Sequence, residues 1–185
     1  GARGNSGVIL SLIFRGFAKG LSGCTEAGCE NFAEALQLGV DAAYKAVMKP
    51  AEGTILTVVK AAAAKAKEAA LSTNDDLIFW NEVCSEAEAV LAKTTEMLPQ
   101  LKKAGVVDAG GMGLVIIFNA MKEIFEGGNI AVPNEAQSQN DFSADSFRTA
   151  VSEYDDEINY TYCTEFMLEK KENCPDVFML RAYLE

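Results

Sequence analysis

Histidine is absent from this sequence of 185 residues. Ser-His-Asp and Cys-His nucleophilic catalysis therefore cannot be assembled from it, and any general-base or metal role falls to carboxylates or thiolates. It also lacks an apolar run of the roughly 20 residues that span a bilayer, and its first residues do not resemble a signal peptide. We therefore expect a cytoplasmic protein without a transmembrane segment.

Basic residues are few, with 16 Lys and Arg against 27 Asp and Glu and a formal net charge of -11. Nucleic-acid binding depends on clustered Lys and Arg that release counterions from the phosphate backbone. The lysines at 65, 67, 102 and 103 are interspersed with glutamates and form no basic stripe. We expect no nucleic-acid partner.

The five cysteines are odd in number and contain no Cys-x-x-Cys pair. This pattern is typical of reduced thiols in a cytoplasm rather than of a disulfide framework. For each cysteine the simplest interpretation is a small buried apolar side chain.

Apolar residues recur at helical spacing from residue 5 to about residue 127, in four or five segments. Glycine, proline or polar residues break the pattern at 20–23, at Lys49-Pro50, at 72–76 and near Pro99. With 49% hydrophobic residues, the chain can bury a core. The pattern predicts an all-α domain over residues 1–128.

A change of composition follows this domain. Residues 129–156 are rich in Asn, Gln, Ser, Asp and Glu and predict a linker. From Tyr160 to Leu168 polar residues alternate with aromatic and β-branched ones, which is typical of a strand. We expect a second, α+β domain to begin at residues 157–185. Residues 157–185 are too few to fold independently, so we expect the chain to be truncated at this end.

Three glycine-containing segments precede predicted helices, at residues 1–7 (GARGNSG), 52–54 (EGT) and 108–113 (DAGGMG). Free backbone N–H groups and the helix dipole favour an anion at a helix N-terminus. For each segment alone, the alternative is an ordinary loop with a helix cap. Together they indicate an anion or nucleotide site at one end of a helical bundle, although neither a Walker A loop nor a Rossmann turn is present.

These segments resemble those of DhaL (DAK2) domain proteins, typified by the bacterial fatty acid kinase A subunit. The resemblance rests on residues 1–11, 44–58 and 106–114, covers about residues 1–127, and recurs in the YCTE sequence at 162–165. It implies an antiparallel helical barrel, here incomplete, that holds ATP or ADP with Mg²⁺ at one end.

The resemblance also implies the nucleotide contacts. Asn5 and Ser6 are expected to contact phosphates. Gly53 and Thr54 are expected to line the pocket, and Asp108, Ala109 and Gly110 are expected to close over the nucleotide.

The metal ligands of the family are aspartates of an Asp-Gly-Asp-Thr-Gly type loop that lies upstream of the first segment, and they are absent here. The pairs Asp75-Asp76 and Asp155-Asp156 are interpreted as solvated cap and linker residues rather than substitutes. We therefore expect truncation at the N-terminal side too, no catalytic residue in this chain and little kinase activity from it. In the second domain Cys163 is a candidate Zn²⁺ ligand, but the histidines that would join it are absent, and a core-facing cysteine is the alternative.

The resemblance implies a kinase subunit of phospholipid metabolism. Such a subunit transfers the ATP γ-phosphate to a fatty acid held by a DegV-type lipid-binding partner and yields an acyl phosphate. One alternative is glycerone (dihydroxyacetone) kinase-like transfer to a small hydroxyketone. Another is an ADP-binding regulatory or scaffold module without catalysis. A homodimer is a further arrangement that we keep open.

Overall fold

The computed structural model describes residue 2, residues 4–128 and residue 179. The chain divides into two units, Gly1–Asn140 and Asp141–Glu185. In residues 4–128 it forms helices α1 (Gly4–Gly20), α2 (Cys29–Ala46), α3 (Ile55–Ser72), α4 (Asp76–Met97), α5 (Pro99–Ala104) and α6 (Ala109–Phe125). The predicted all-α architecture is confirmed for this region. The predicted linker and the strand at 160–168, with Cys163, lie outside the described residues.

Helices α1 and α2 cross closely because glycines lie at their interface. A Cβ atom placed on Gly16 would lie 2.4 Å from the carbonyl oxygen of Leu38, and one on Gly20 would lie 2.5 Å from the Cα of Ala35. The residue numbers rise on α1 and fall on α2, so the two helices are antiparallel. Backbones can approach this closely only where no side chain intervenes.

Helices α3 and α4 are also antiparallel, and α6 packs on both. Lys65 lies 3.3 Å from Glu82 across α3 and α4. Further along, Asn119 of α6 donates a hydrogen bond of 2.8 Å to Glu88 of α4, and Asp108 before α6 lies beside Thr94 of α4. Helix α6 thus runs antiparallel to α4 and begins near the end of α4.

The core is aromatic around Trp80, whose side chain is 0% exposed. Four phenylalanine rings surround the indole at centroid distances of 5.5 to 6.1 Å, and they are Phe79, Phe32, Phe118 and Phe125. These rings come from α2, α4 and α6, so one side chain joins three helices. Across the described part of the chain, no helix is long and apolar enough to cross a membrane.

Candidate site at the starts of helices α1, α3 and α6

The three glycine segments meet at one end of the bundle, around Gly110. A Cβ atom placed on Gly110 would lie 3.2 Å from Oδ2 of Asp108, 3.3 Å from Cβ of Ile55 and 3.4 Å from Oγ of Ser6. Each of the three segments, or the helix turn that directly follows it, is therefore within van der Waals reach of this position. The convergence predicted from the sequence is present in the fold.

The start of α1 lies earlier than the sequence indicates. The segment 1–7 was expected to precede the helix, but α1 begins at Gly4. Asn5 and Ser6 thus belong to the first helical turn, and both are exposed. Backbone N–H groups in a first turn have no partner within the helix, so this turn offers donors beside an exposed amide and hydroxyl.

The start of α3 is organised by Thr54 and Gly53. Thr54 is the N-cap residue, and its hydroxyl accepts from the N–H of Leu56 at 3.3 Å and donates to the carbonyl of Ala51 at 2.8 Å. The neighbouring Gly53 is buried with a φ of 85°. The capping alternative is therefore what the structure shows for the Thr54 hydroxyl.

Asp108 organises the start of α6 in the same way. Its carboxylate accepts a 2.7 Å hydrogen bond from the N–H of Gly111 and caps the helix. Ala109 and Gly110, expected in a loop before the helix, instead form its first turn. Ala109 is exposed and Gly110 is half-buried, so this turn borders solvent on one side.

Thr57 lies at the same end of the bundle and was not identified from the sequence. Its side chain is buried, and its hydroxyl accepts from the N–H of Gly53 at 2.8 Å while donating to Oε2 of Glu52 at 2.7 Å. A threonine three residues after a helix cap was the available signal, because side chains at that position commonly bond back to the chain before the helix.

Thr94 is a second such residue, on α4. It is 0% exposed, and its hydroxyl accepts from the N–H of Asp108 at 3.0 Å and donates to the carbonyl of Leu91 at 2.6 Å. The carbonyl bond within α4 is local, but the bond to Asp108 joins two helices. No sequence signal marks that pairing, since it depends on how α4 and α6 pack.

Tyr44 lies behind the α3 start. Its hydroxyl donates to the carbonyl of Leu56 at 3.4 Å, and the ammonium of Lys60 lies 5.7 Å from the ring centroid. Burial raises the pKa of the Tyr44 hydroxyl, and the nearby Glu52 carboxylate adds to the rise. The hydroxyl therefore stays protonated and continues to donate.

A magnesium site needs several oxygen ligands together. Within the described residues, no group of three or more Cys, Asp or Glu side chains could hold a metal ion. Asp108 and Glu52, the carboxylates nearest the helix starts, already accept hydrogen bonds from Gly111 and Thr57. The described residues alone therefore do not fit a magnesium site.

Two buried cysteines should be unreactive in the folded protein. Burial, followed by a 3.4 Å hydrogen bond to Asp76, raises the pKa of Cys29 to about 11, and burial raises the pKa of Cys84 to about 11. Relative to a pKa of 9.0, this lowers their thiolate fraction at pH 8 by about a hundredfold.

We expect a maleimide at pH 8 to label the exposed Cys24 before either buried thiol. Peptide mass spectrometry over time measures the three rates separately. Rates for Cys29 and Cys84 equal to that of Cys24 at pH 8 would contradict their burial.

The fold and this end of it define a class of protein: an all-α domain in which three glycine-containing helix starts converge. The comparison with known families is specific. The DAK2 domain matches residues 1–123, and the chain belongs to this family. DAK2 domains belong to kinase-related families.

Relatives of known sequence extend beyond the DAK2 match. Protein YloV of Bacillus subtilis (strain 168) is 47% identical over 170 residues, which cover 91% of this chain and 31% of that protein. An uncharacterised protein of Staphylococcus saprophyticus is 42% identical over 175 residues, covering 94% of this chain and 31% of that protein. One from Staphylococcus aureus (strain bovine RF122) is 41% identical, with 94% and 32% covered. The chain thus spans about a third of the length of these relatives.

Proposed function

We propose that the gene product carrying this chain is an ATP-dependent kinase subunit whose nucleotide phosphates bind where α1, α3 and α6 begin. One observation carries the proposal. No acidic residue lies in the first turn of α1, α3 or α6, although the chain has a net charge of -11. By contrast, α2 and α4 have Glu30 and Asp76 in their first turns.

Acidic residues in a first turn offset the positive end of the helix dipole, which amounts to roughly half an elementary charge. Of the three converging helix starts, α6 and α3 have the carboxylates of Asp108 and Glu52 beside them, whereas the first turn of α1 has no acidic residue, so its uncompensated positive end favours a phosphate group. The first turn of α1 would donate to phosphate oxygens through backbone N–H groups and through Asn5 and Ser6. The turn around Gly110, which borders solvent on one side, would admit the ligand close to backbone, and the buried Gly53 would hold the start of α3 beside it.

The geometry suits phosphoryl transfer, in which positioning and charge neutralisation supply most of the catalysis. Magnesium, when bound with the nucleotide, would neutralise phosphate charge. The acceptor we propose is a fatty acid presented by a DegV-type lipid-binding partner, with an acyl phosphate as product. A small hydroxyketone as acceptor and an ADP-binding regulatory module are the other outcomes of the tests below.

We expect Ser6→Asp to weaken magnesium-ADP binding at least tenfold, because a carboxylate in the first turn of α1 would repel the phosphates. Calorimetric titration of the gene product at its natural length measures the affinity, and the present chain is titrated beside it. The matched control is Ser85→Asp, which adds the same charge at an exposed position in the middle of α4. Equal losses in both variants would contradict the placement of the phosphates.

Substrate identity needs a separate assay. ADP formation is measured with ATP, magnesium and either a fatty acid bound to a DegV-type protein or dihydroxyacetone. Turnover with the first supports the proposal, and turnover with the second assigns the hydroxyketone. Nucleotide binding without turnover on either acceptor would favour a regulatory module.

A further inference from the structure

We propose that Thr57 and Thr94 are positioning residues, which hold the Gly53 turn and the start of α6 in the arrangement that receives the nucleotide. The inference rests on the proposed function and deepens it. Neither threonine belongs to the residues expected to contact nucleotide. Each would act through a backbone N–H group of a segment that does.

Burial singles these two residues out. Among the described residues, Thr57 and Thr94 are the buried side chains with a hydroxyl group, at 9% and 0% exposure. A buried hydroxyl is tolerated only when hydrogen-bonded, and valine would fill the same volume without that requirement. Both threonines lie at the end of the bundle where the glycine segments meet. Their hydroxyls therefore serve that end rather than the core in general.

Thr57 secures the α3 start through a relay of two hydrogen bonds. Its hydroxyl proton goes to Glu52 at 2.7 Å, which leaves an oxygen lone pair for the N–H of Gly53 at 2.8 Å. That N–H lies just before the cap residue Thr54. The relay thereby fixes the turn at Gly53, where the backbone is left-handed. Both residues joined by the next peptide bond, Gly53 and Thr54, are predicted nucleotide contacts.

Thr94 secures the α6 start from a different helix. Its hydroxyl donates a hydrogen bond to the carbonyl of Leu91 within α4 and accepts one from the N–H of Asp108 at 3.0 Å. The Asp108 carboxylate in turn accepts the N–H of Gly111. The Thr94 hydroxyl thus sets where the first turn of α6, with Gly110, lies relative to the rest of the site.

Thr57 and Thr94 each hold one of the three converging segments. Without the hydroxyl, the buried N–H of Gly53 or the partly buried N–H of Asp108 would lose its partner, and the segment would move to hydrate it. A nucleotide that contacts all three segments would then bind only after the displaced segment returns to its original position. The loss should appear in nucleotide affinity, and serine, which keeps the hydroxyl, should restore it.

The test compares Thr57→Val, Thr57→Ser, Thr94→Val and Thr94→Ser in the gene product at its natural length, with magnesium-ADP as the probe. We expect each valine variant to raise the dissociation constant about tenfold, as the loss of one buried hydrogen bond implies, and each serine variant to stay within about threefold of the wild type. Circular dichroism melting establishes that each variant is folded. Wild-type affinity in both valine variants, or equal losses in valine and serine variants, would overturn the inference.

Two milder variants keep the test decisive if a valine variant does not fold. Thr57→Cys and Thr94→Cys replace the hydroxyl with a thiol, a weaker acceptor that tolerates burial. Both should weaken magnesium-ADP binding in a folded protein, and unchanged affinity would overturn the inference at that position. Absence of binding by the wild type is a different result, because it would overturn the proposed function itself.

Discussion

Replacing Trp80 with alanine should lower the free energy of unfolding by about 3–5 kcal/mol, the range for removing a large buried aromatic. The indole is 0% exposed and contacts rings from α2, α4 and α6. Its loss leaves a cavity at the junction of three helices, which cannot all close in at once. Because small domains are stabilised by only about 5–15 kcal/mol, we expect the variant to be largely unfolded at moderate urea concentration.

The matched control is Trp80→Phe, which keeps an aromatic ring in the same place. In the described residues the indole N–H has no hydrogen-bond partner, so phenylalanine removes a buried unpaired donor along with some volume. We expect it to cost less than half as much as alanine. Urea unfolding followed by circular dichroism gives both values, and equal costs for the two variants would contradict the ring-packing account.

Helix positions were predictable because the apolar spacing is strong. The breaks predicted at 72–76 and near Pro99 enclose the fourth helix, which is found at Asp76–Met97 with Asp75 as its cap. Its Asp75 side chain accepts from the N–H groups of Leu77 and Ile78, as the cap interpretation requires. Here local propensity and tertiary packing favour the same structure.

Helix starts that contain glycine were predicted too late. Gly4 in α1 and Gly110 in α6 were expected in loops, because glycine is a poor helix former, yet both lie in first turns. Packing against other helices outweighs that local preference. The short α5 spans Pro99–Ala104, where the sequence predicts only a break near Pro99, and its first-position proline and Gly105 C-cap suit a helix of less than two turns.

The site was predictable in part. Its three segments could be identified because each combines glycine with a small polar residue before an apolar helix. Their meeting around Gly110 depends on the antiparallel packing of α3, α4 and α6, which periodicity does not determine. Thr57 and Thr94 escaped notice for a related reason. A threonine within a helix is ordinarily assigned to a polar face, and only the packed structure shows that these two are buried and accept from the backbone N–H groups of Gly53 and Asp108.

Replacing Gly53 with alanine should damage both stability and nucleotide binding. At a φ of 85° an L-residue is strained by about 1–2 kcal/mol. In addition, a Cβ atom there would lie 2.8 Å from Cβ of Met97 and 2.9 Å from Cγ of Leu98, so the end of α4 must move. Overpacking of this kind adds about 1–3 kcal/mol. We expect a total loss of about 2–5 kcal/mol in the free energy of unfolding.

Gly23 provides a matched control for this substitution. It has the same φ of 85°, but a Cβ atom placed on it would meet nothing within 4 Å. Gly23→Ala should therefore cost only the backbone strain and leave magnesium-ADP affinity unchanged, whereas Gly53→Ala should weaken that affinity at least tenfold in the fraction that remains folded. Thermal unfolding and calorimetric titration of both variants separate the two effects. Equal destabilisation would mean that crowding by α4 is unimportant. Unchanged affinity in Gly53→Ala would mean that the turn before α3 lies away from the nucleotide.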